Sequence, residues 1–279
     1  MRIESVLKYI PPDRRGSIAQ GVPLASAAHG SVLFADISGF TPLTETLSRT
    51  LGARLGAEEL TRHLNHVYDA LVHQVDQYGG SIISFSGDAI TCWFDGDSGA
   101  RAATTCAMAL QRAMAAFDRL ALPNGDSISL SLKVSVASGA VRRFLVGDPD
   151  MLVLDVLAGK TIARMADGEH IAQKGEVIVD EPTAALLSDS CTIGEWRDEP
   201  RTGQRFAAIS ALTEGAAPTP WGSRDPEFFT FEQVRSWMIQ ALIDREDESM
   251  TELRPAMAVF LRFDGIDYDN DSDAGVKLD

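Results

Sequence analysis

Two aspartates, Asp36 and Asp88, have the residue type and the setting that a metal site needs. Asp36 ends a short apolar run, SVLFAD, and Asp88 lies in the turn sequence Ser86-Gly87-Asp88 between two β-rich runs. Carboxylates at adjacent strand ends hold Mg²⁺, which takes one or two of them and completes its coordination with water and phosphate oxygens. The residues alone leave an alternative open, in which Asp36 is a cap and Asp88 an ordinary turn residue.

The segment that follows Asp36 is suited to an anion. Its residues, ISGFT, lead into Pro42, which is favoured at a first helical position, and Thr41 is a plausible N-cap. Small residues at a helix start allow backbone N–H groups to face a phosphate. A strand aspartate, an anion-binding turn and a hairpin aspartate together predict a site for a nucleoside triphosphate with two metal ions.

The elements that must position these residues are predicted from hydrophobic periodicity. Apolar residues three and four apart predict a helix with one buried face, ended by Gly79-Gly80; they are Leu60, Leu64, Val67, Leu71, Val75 and Tyr78. The elements predicted after it are a hairpin of SIISF and AITCWF, a helix over 98–120, a strand over SISLSLKVSVASG, a pair formed by VRRFLVGD and MLVLDV, a helix from about Gly159 to Gln173, and the strand EVIVD. This order predicts an α+β fold with helices on a mixed, largely antiparallel sheet.

Composition excludes several classes of protein. The chain has 279 residues, 45% of them hydrophobic and 23% charged, which is ordinary for a globular protein and unlike collagen-like, disordered or coiled-coil chains. The formal net charge is −15. Nucleic-acid binding proteins carry a basic face, so no nucleic-acid partner is expected.

The sequence also bears on location and redox state. No apolar run approaches the length of a membrane span, and the first residues, MRIESVLKYIPPDRR, have no signal-peptide core. A cytoplasmic protein without a membrane span is therefore expected. The three cysteines, Cys92, Cys106 and Cys191, have no metal-binding spacing, and buried thiols are the expected state.

Four regions are predicted along the chain. Residues 1–30 are expected to form an irregular lead-in, and 31–212 the main domain. Residues 213–254 are expected to form a linker and an amphipathic helix, with Thr230 and Gln233 in a capping-box pattern. Residues 255–279 are expected to begin a second, truncated copy of the domain, because MAVFLRFD aligns with SVLFAD and places Arg262 opposite Asp36.

Two motifs carry a resemblance to a known family. VLFADISGFTPLTE and GGSIISFSGDAITCWF, at their spacing in this chain, resemble the class III nucleotidyl cyclases, and the similarity runs from about Tyr9 to residue 212. The resemblance is strongest to the first catalytic domain of tandem soluble adenylyl cyclases, whose join between domains looks like TELRPAMAVFL. It implies a ferredoxin-like cyclase homology domain for residues 31–212.

The resemblance also implies an activity and a site. The expected reaction converts ATP to cyclic AMP and pyrophosphate with two Mg²⁺ ions, for which Mn²⁺ could substitute. By analogy with the family, Asp36 and Asp88 would be the catalytic metal ligands, together with the Ile37 carbonyl. The nucleotide-binding residues implied in the same way are Ile37, Ser38, Gly39, Phe40, Thr41 and Gly87.

Other positions depart from the family pattern. Ser84 stands where a base-reading Lys is expected, and Ala163 and Asp167 stand where a transition-state Asn and Arg are expected. Arg164 is close by, but helical phase directs it to another face. The chain is therefore expected to supply only the metal-binding half of a site that a second cyclase domain, of the same or another chain, completes, and to be inactive alone. A guanylyl cyclase and a non-catalytic cyclase-like regulatory or interaction module remain alternatives.

Several other polar residues are expected to be structural. His63, His66 and His73 are expected on the exposed polar face of one helix, without a third metal ligand. The pair Arg142-Arg143 is expected at an exposed strand edge, and Asp155 has no partner that the sequence identifies.

Two phosphate- and calcium-type patterns are also discounted. Lys160 and Thr161 open a helix after a strand, but Leu154 stands where a P-loop needs its first Gly. The acidic string Asp267, Asp269, Asp271 and Asp273 lacks the Gly and Glu of a calcium loop, so a solvated turn is expected.

Overall fold

The computed structural model describes residues 3–122, 125–222, 226–239, 257, 259 and 264–279. The helices of the described residues are α1 Ile3–Leu7, α2 Pro12–Gln20, α3 Phe40–Leu51, α4 Ala53–Gln77, α5 Gly99–Met114, α6 Lys160–Ile171, α7 Glu181–Leu187, α8 Phe231–Val234 and α9 Ala274–Leu278. The strands are β1 Ala27–Ser38, β2 Ser81–Ser86, β3 Ala89–Asp95, β4 Leu120–Ala121, β5 Ser127–Ile128, β6 Ser131–Val146, β7 Leu154–Ala158, β8 Val177–Asp180, β9 Cys191–Asp198 and β10 Arg205–Leu212.

Eight of these strands form one sheet in the order β2-β3-β1-β6-β8-β10-β9, with β7 paired to β6. The pairing of β6 with β8 is parallel, and the other pairings in this sheet are antiparallel. The predicted α+β fold with a mixed, largely antiparallel sheet is confirmed.

Strand β1 is buried on both faces, and its alternation places Asp36. Leu33, Ala35 and Ile37 belong to the main core, which α3, α4 and α5 cover. Val32 and Phe34 face the other way, into a smaller cluster that includes Met165 of α6. Because side chains alternate along a strand, Asp36 lies on the face of Val32 and Phe34, at the end of the strand.

Residues 3–30 are mostly regular, so the prediction of an irregular lead-in is wrong. They form α1 and α2, and β1 begins at Ala27. Neither helix is long enough to be stable alone. They are held by packing, because Val6, Leu7 and Ile10 cluster with residues distant in sequence, namely Val153, Phe229, Val234, Trp237 and Met238.

A buried ionic network joins α2 to β6 and β7, which corrects the expectation for Arg143 and Asp155. Arg143 is 5% exposed and donates from Nε to Asp155 Oδ1 at 2.8 Å and from Nη2 to Asp155 Oδ2 at 2.6 Å. It also donates to Asp13, and Arg14 Nε donates to Asp155 Oδ2 at 2.9 Å. Arg143 is thus a buried cross-link between segments rather than an exposed edge charge.

The exposure of the three histidines of α4 agrees with the prediction for two of them and not for the third. His66 and His73 are exposed as expected, but His63 is buried, with Nε2 3.2 Å from Glu59 Oε1. Burial lowers the pKa of His63. In the described parts of the chain, no three His, Cys, Asp or Glu side chains cluster as a metal site.

The region after the linker is described only in part. The Thr230 and Gln233 capping box is present, but α8 ends at Val234 and a 3₁₀ turn, Arg235–Trp237, follows it. The rest of the predicted helix and the start of the proposed second copy, including Arg262, lie outside the described residues. Met257 and Val259 are described, and both are exposed and outside any strand.

Cys92 and Cys106 are buried and Cys191 is partly buried, and all three are free thiols. No helix within the described ranges has both the length and the apolar content to cross a membrane.

Candidate active site

Strand pairing brings Asp36 and Asp88 to one end of the sheet. Asp36 pairs with Ala89 in the β1–β3 register, so Asp88 directly precedes its cross-strand partner. The backbone N–H of Ile37 donates to the Asp88 carbonyl at 3.1 Å. Two aspartates that are 52 residues apart in sequence are therefore neighbours in the fold.

The electrostatics of this pair suit a cation. The pKa of Asp36 is raised, first by burial and then by the negative charges of Asp88 and Glu169, while Lys133 opposes the shift. A carboxylate whose ionisation is disfavoured by burial and by nearby acids is stabilised when a divalent cation binds beside it. Two carboxylates also meet the number of protein ligands that Mg²⁺ commonly takes, so the donor set fits the metal expected from the sequence.

Asp36→Asn is expected to stabilise the protein in the absence of metal. A raised pKa means that folding favours the protonated carboxyl, so the contribution of Asp36 to stability is present at low pH and is lost as pH rises through its folded pKa. At pH 7 in EDTA, the variant should unfold at a higher denaturant midpoint than the wild type. The difference should vanish below the usual pKa of aspartate.

The matched control is Asp69→Asn, which changes an exposed aspartate of α4. Its denaturant midpoint at pH 7 should equal that of the wild type. An Asp36→Asn variant that is no more stable than the wild type at pH 7 would show that Asp36 carries no electrostatic penalty in the folded state.

Tyr68 of α4 holds the turn that carries Asp88, and the sequence reasoning missed it. Its hydroxyl donates to the Gly87 carbonyl at 2.8 Å, and its ring meets Phe85 edge-on at 5.2 Å between centroids. The pKa of Tyr68 is raised by burial and by the charges of Asp88 and Asp36. A signal was present, since Tyr68 lies four residues after Leu64 on the apolar face of the helix.

Lys133 and Glu169 are two further charged residues at this end that the sequence reasoning missed. Lys133 pairs with Asp36 in the β1–β6 register, and its Nζ lies 3.3 Å from Glu169 Oε1 on α6. Lys133 is the charged residue inside the alternating run SLKVSV, which is the signal that would have identified it. It places a half-buried cation beside the carboxylates.

The start of α3 differs in detail from the prediction. Its N-cap is Gly39 rather than Thr41, and the helix begins at Phe40. Gly39 has φ +101°, and a Cβ there would lie 2.6 Å from the Ser129 carbonyl oxygen, so a side chain is excluded. The N–H groups of the first helical turn have no intrahelical acceptor and can face an anion.

Ile37 and Ser38 lie at the end of β1 rather than in a loop. Each pairs with β6, Ile37 with Leu132 and Ser38 with Ser131. The side chain of Ile37 is buried in the main core, so only its backbone is available to a ligand.

The structure shows the surroundings of the α6 residues that stand at the family's Asn and Arg positions. Ala163 is exposed, and Asp167 lies 3.8 Å from Arg201 Nη2. Arg164 donates from Nε to Asp180 Oδ2 at 2.6 Å and from Nη2 to the Ser138 carbonyl at 2.7 Å. Arg164 is therefore engaged in a structural ion pair.

The acidic string near the C-terminus forms turns with exposed residues, as expected, and Asp269 is in addition tied to α6. Asp269 accepts a hydrogen bond from the Lys160 N–H at the start of α6, with oxygens at 3.2 and 3.3 Å. Ala274 packs with Phe144 and Ala158 in a small cluster. The last sixteen residues thus lie against β6, β7 and α6.

Comparison with known proteins identifies the family of this chain. A profile of the adenylate and guanylate cyclase catalytic domain matches residues 23–201. The chain belongs to this family. It is a class III nucleotidyl cyclase domain, and the family resemblance of the two sequence motifs is confirmed.

The curated relatives include adenylate cyclase type 10 of Mus musculus and of Homo sapiens. The mouse protein is 27% identical over 220 residues, which is 77% of this chain and 13% of the mouse protein. The human protein is 41% identical over 68 residues, which is 24% of this chain and 4% of the human protein. The matched region thus spans about an eighth of the mouse relative.

Solved cyclase structures share the fold. The adenylyl cyclase CyaB from P. aeruginosa has a TM-score of 0.54 at 21% identity, covering 66% of this chain and 95% of that one. The guanylyl cyclase Cya2 has a TM-score of 0.55 at 17% identity, covering 67% and 93%. At these identities the two structures support the architecture and leave the choice between ATP and GTP open.

Proposed function

We propose that this cyclase domain supplies the metal-binding half of an adenylyl cyclase active site, which converts ATP to cyclic AMP and pyrophosphate. The observation that carries the proposal is the juxtaposition of Asp36 and Asp88 on paired strands of a class III cyclase fold. Adenine is favoured over guanine because the curated relatives named above are adenylate cyclases.

In this proposal each part of the site has a separate task. Asp36, Asp88 and the Ile37 carbonyl hold divalent cations, and the N–H groups at the start of α3 face the triphosphate. When bound, Mg²⁺ or Mn²⁺ lowers the pKa of the ribose 3′ hydroxyl and neutralises charge on the leaving pyrophosphate. The 3′ oxygen bonds to the α-phosphorus, the bond from that phosphorus to the bridging oxygen breaks, and the hydroxyl proton passes to solvent.

The site is incomplete in this chain. Ala163 and Asp167 cannot stabilise a pentavalent phosphorus as an amide and a guanidinium can, and Arg164 is held by Asp180. A second cyclase domain, of the same or another chain, supplies these groups and the base-reading side chains. The 279-residue chain alone is therefore expected to be inactive, because two copies of the metal-binding half cannot complete each other.

The test is a cyclase assay of this chain alone and of a longer protein that contains a second cyclase domain. The proposal expects cyclic AMP formation only in the second sample. Competition between ATP and GTP in the longer protein tests the alternative of a guanylyl cyclase. The solved structures similar to this chain include the guanylyl cyclase Cya2. A sample that binds nucleotide but forms neither cyclic product would indicate the non-catalytic module.

Tyr68→Phe is expected to raise the Mg²⁺ concentration that gives half-maximal activity. Loss of the hydrogen bond to the Gly87 carbonyl releases the turn that carries Asp88. A hydrogen bond of this kind contributes about 1 kcal/mol, which corresponds to a shift of roughly fivefold. Activity at saturating Mg²⁺ should stay near that of the wild type.

The control for this variant is Tyr78→Phe, which removes a hydroxyl from a residue packed against the main core at the end of α4. Its Mg²⁺ dependence should match that of the wild type. An equal change in both variants would mean that Tyr68 does not position the metal-binding turn.

We also propose a cytoplasmic location for the protein. Its free thiols, two of them buried, suit a reducing compartment.

A further inference from the structure

The segment after β10, which the sequence predicted to be a linker, is bound to the domain along its length. Residues 213–222 are named the linker strap. The Ala216 N–H donates to Thr105 Oγ1 of α5 at 2.9 Å. The Thr219 N–H donates to the carbonyl of Gln77, the last residue of α4, at 2.8 Å. Each strap residue is exposed or partly buried, and a segment held by hydrogen bonds rather than by a buried core opens locally at a lower free energy than the sheet.

The strap ends on the connection between α4 and β2. The indole N–H of Trp221 donates to the Gly80 carbonyl at 2.9 Å. At Gly79, which has φ +70°, a Cβ would lie 3.0 Å from the Thr219 carbonyl oxygen, so the strap passes directly over this glycine. The last carbonyls of a helix have no intrahelical partner, and the strap supplies one for Gln77. The strap thereby fixes the point at which the chain leaves α4 and enters β2.

Two prolines favour the extended form of the strap. Pro218 and Pro220 stand on either side of Thr219. A proline fixes its own φ and directs the residue before it towards an extended conformation. Docking of this segment therefore loses less conformational entropy than docking of a flexible loop of the same length.

Strand β2, which the strap holds at its start, is an edge strand with an irregular ladder. It is the first strand in the sheet order and pairs with β3, and the register of that pairing shifts between Ile82 and Ser84. An edge strand with a register shift has fewer ladder hydrogen bonds than a central strand. The Asp13 N–H adds one bond at the start of β2, to Ser81 Oγ at 3.1 Å. The position of β2 therefore depends on contacts near its ends.

These end contacts also bear on the turn that carries Asp88. Before the start of β2, Trp221 holds the Gly80 carbonyl. Beyond its end, the Tyr68 hydroxyl of α4 holds the Gly87 carbonyl at 2.8 Å. The strand and α4 thus form a closed loop that is fastened at both ends, and Asp88 directly follows the second fastening.

We propose that the linker strap is a conformational lock, which keeps β2 and the turn that carries Asp88 in place while Trp221 holds the Gly80 carbonyl, and whose release loosens both. The lock itself concerns only the fold. Its consequence for metal binding rests on the proposed function, in which Asp88 is a metal ligand.

Hydrogen–deuterium exchange of the 279-residue chain in EDTA tests the lock without metal or nucleotide. Trp221→Phe removes the indole N–H and keeps an aromatic ring. The protected amides of β2 and those of residues 87–88 should exchange about fivefold faster than in the wild type, which is the change expected for the loss of one hydrogen bond. Amides of β6, in the interior of the sheet order, are the internal reference and should keep their rate.

Two further variants separate the strap from a general loss of stability. Thr219→Pro removes the N–H that bonds to the Gln77 carbonyl, and it should also speed the exchange of β2. Trp196→Phe is the matched control, because it makes the same substitution on β9, at the opposite edge of the sheet. It should leave the exchange of β2 at the wild-type rate. Thermal unfolding should show that all three variants are folded.

Mn²⁺ tests the consequence for the metal site. If opening of β2 displaces Asp88, a metal that binds only the closed form must make opening rarer. Mn²⁺ at ten times its dissociation constant, with a non-hydrolysable ATP analogue, should therefore slow the exchange of β2 about tenfold in the wild type and in Trp221→Phe. Asp88→Asn should lose this protection.

The lock is overturned if folded Trp221→Phe exchanges β2 or residues 87–88 at the wild-type rate in EDTA, or if Trp196→Phe speeds that exchange equally. Mn²⁺ that binds the wild type without slowing the exchange of β2 would overturn the link between the lock and the metal site. A wild type that binds no Mn²⁺ would overturn the cyclase proposal, and the exchange rates in EDTA would still decide whether the strap is a lock.

Discussion

Asp36→Ala and Asp88→Ala are each expected to reduce cyclase activity by at least about a hundredfold when a second cyclase domain completes the site. Metal coordination contributes several kcal/mol to stabilising such a transition state, and each 1.36 kcal/mol changes the rate tenfold. The two variants should have similar effects, because each leaves one carboxylate of an adjacent pair. The measurement is the initial rate of cyclic AMP formation at saturating ATP and Mg²⁺.

Asp69→Ala is the control, since it removes an exposed aspartate on α4, the helix that carries Tyr68. Its rate should equal that of the wild type. Circular dichroism should show that the Asp36 and Asp88 variants are folded. Folded variants that turn over ATP at the wild-type rate would remove both aspartates from the catalytic site.

Arg143→Met is expected to be the most destabilising single change outside the apolar core. It leaves the carboxylates of Asp155 and Asp13 without their main partner, and Asp155 is only 7% exposed. Removing one member of a buried ion pair costs about 3–5 kcal/mol. Because Arg143 joins α2 to β6 and β7, the loss should also weaken the docking of the N-terminal helices.

Urea unfolding measures this effect, with Arg54→Met as the exposed control. Burial alone would raise the pKa of Asp155, but hydrogen bonds from Arg143 and Arg14 hold that pKa below its usual value. The stabilising contribution of Asp155 is therefore present at neutral pH and is lost as pH falls through its folded pKa. A loss below 1 kcal/mol at pH 7 would contradict a structural role for the network.

The parts of the fold that the sequence predicted are those in which local pattern and tertiary packing agree. The β2–β3 hairpin and the long apolar stripe of α4 form as their patterns predict, and β6 alternates over 131–134, beyond which both of its faces are buried. Asp36 and Asp88 could be singled out because each stands where such a pattern stops.

The parts that were missed depend on contacts between distant residues. Arg143 and Asp13 are 130 positions apart, and nothing near either residue indicates that they meet. The helices α1 and α2 are short, and their stability comes from packing on residues of the linker region. His63 was placed on the exposed face because its spacing gave no sign that this side of α4 is covered.

At the site, too, residues in local motifs were predicted and residues brought in by tertiary contacts were not. The motif residues around Asp36 were predicted, whereas Tyr68, which bonds the Gly87 carbonyl, and Lys133, which pairs with Asp36 in the sheet, come from a helix and a neighbouring strand. Their positions follow from the register of β1 with β6 and from the packing of α4 on the hairpin. A single sequence does not specify either of these.

The most direct test of the paired-carboxylate site is Mn²⁺ binding, followed by electron paramagnetic resonance in the presence of a non-hydrolysable ATP analogue. We expect the 279-residue chain to bind Mn²⁺, Asp36→Asn and Asp88→Asn each to lose this binding, and Asp69→Asn to retain it. Wild-type Mn²⁺ affinity in both Asp36→Asn and Asp88→Asn would contradict the account.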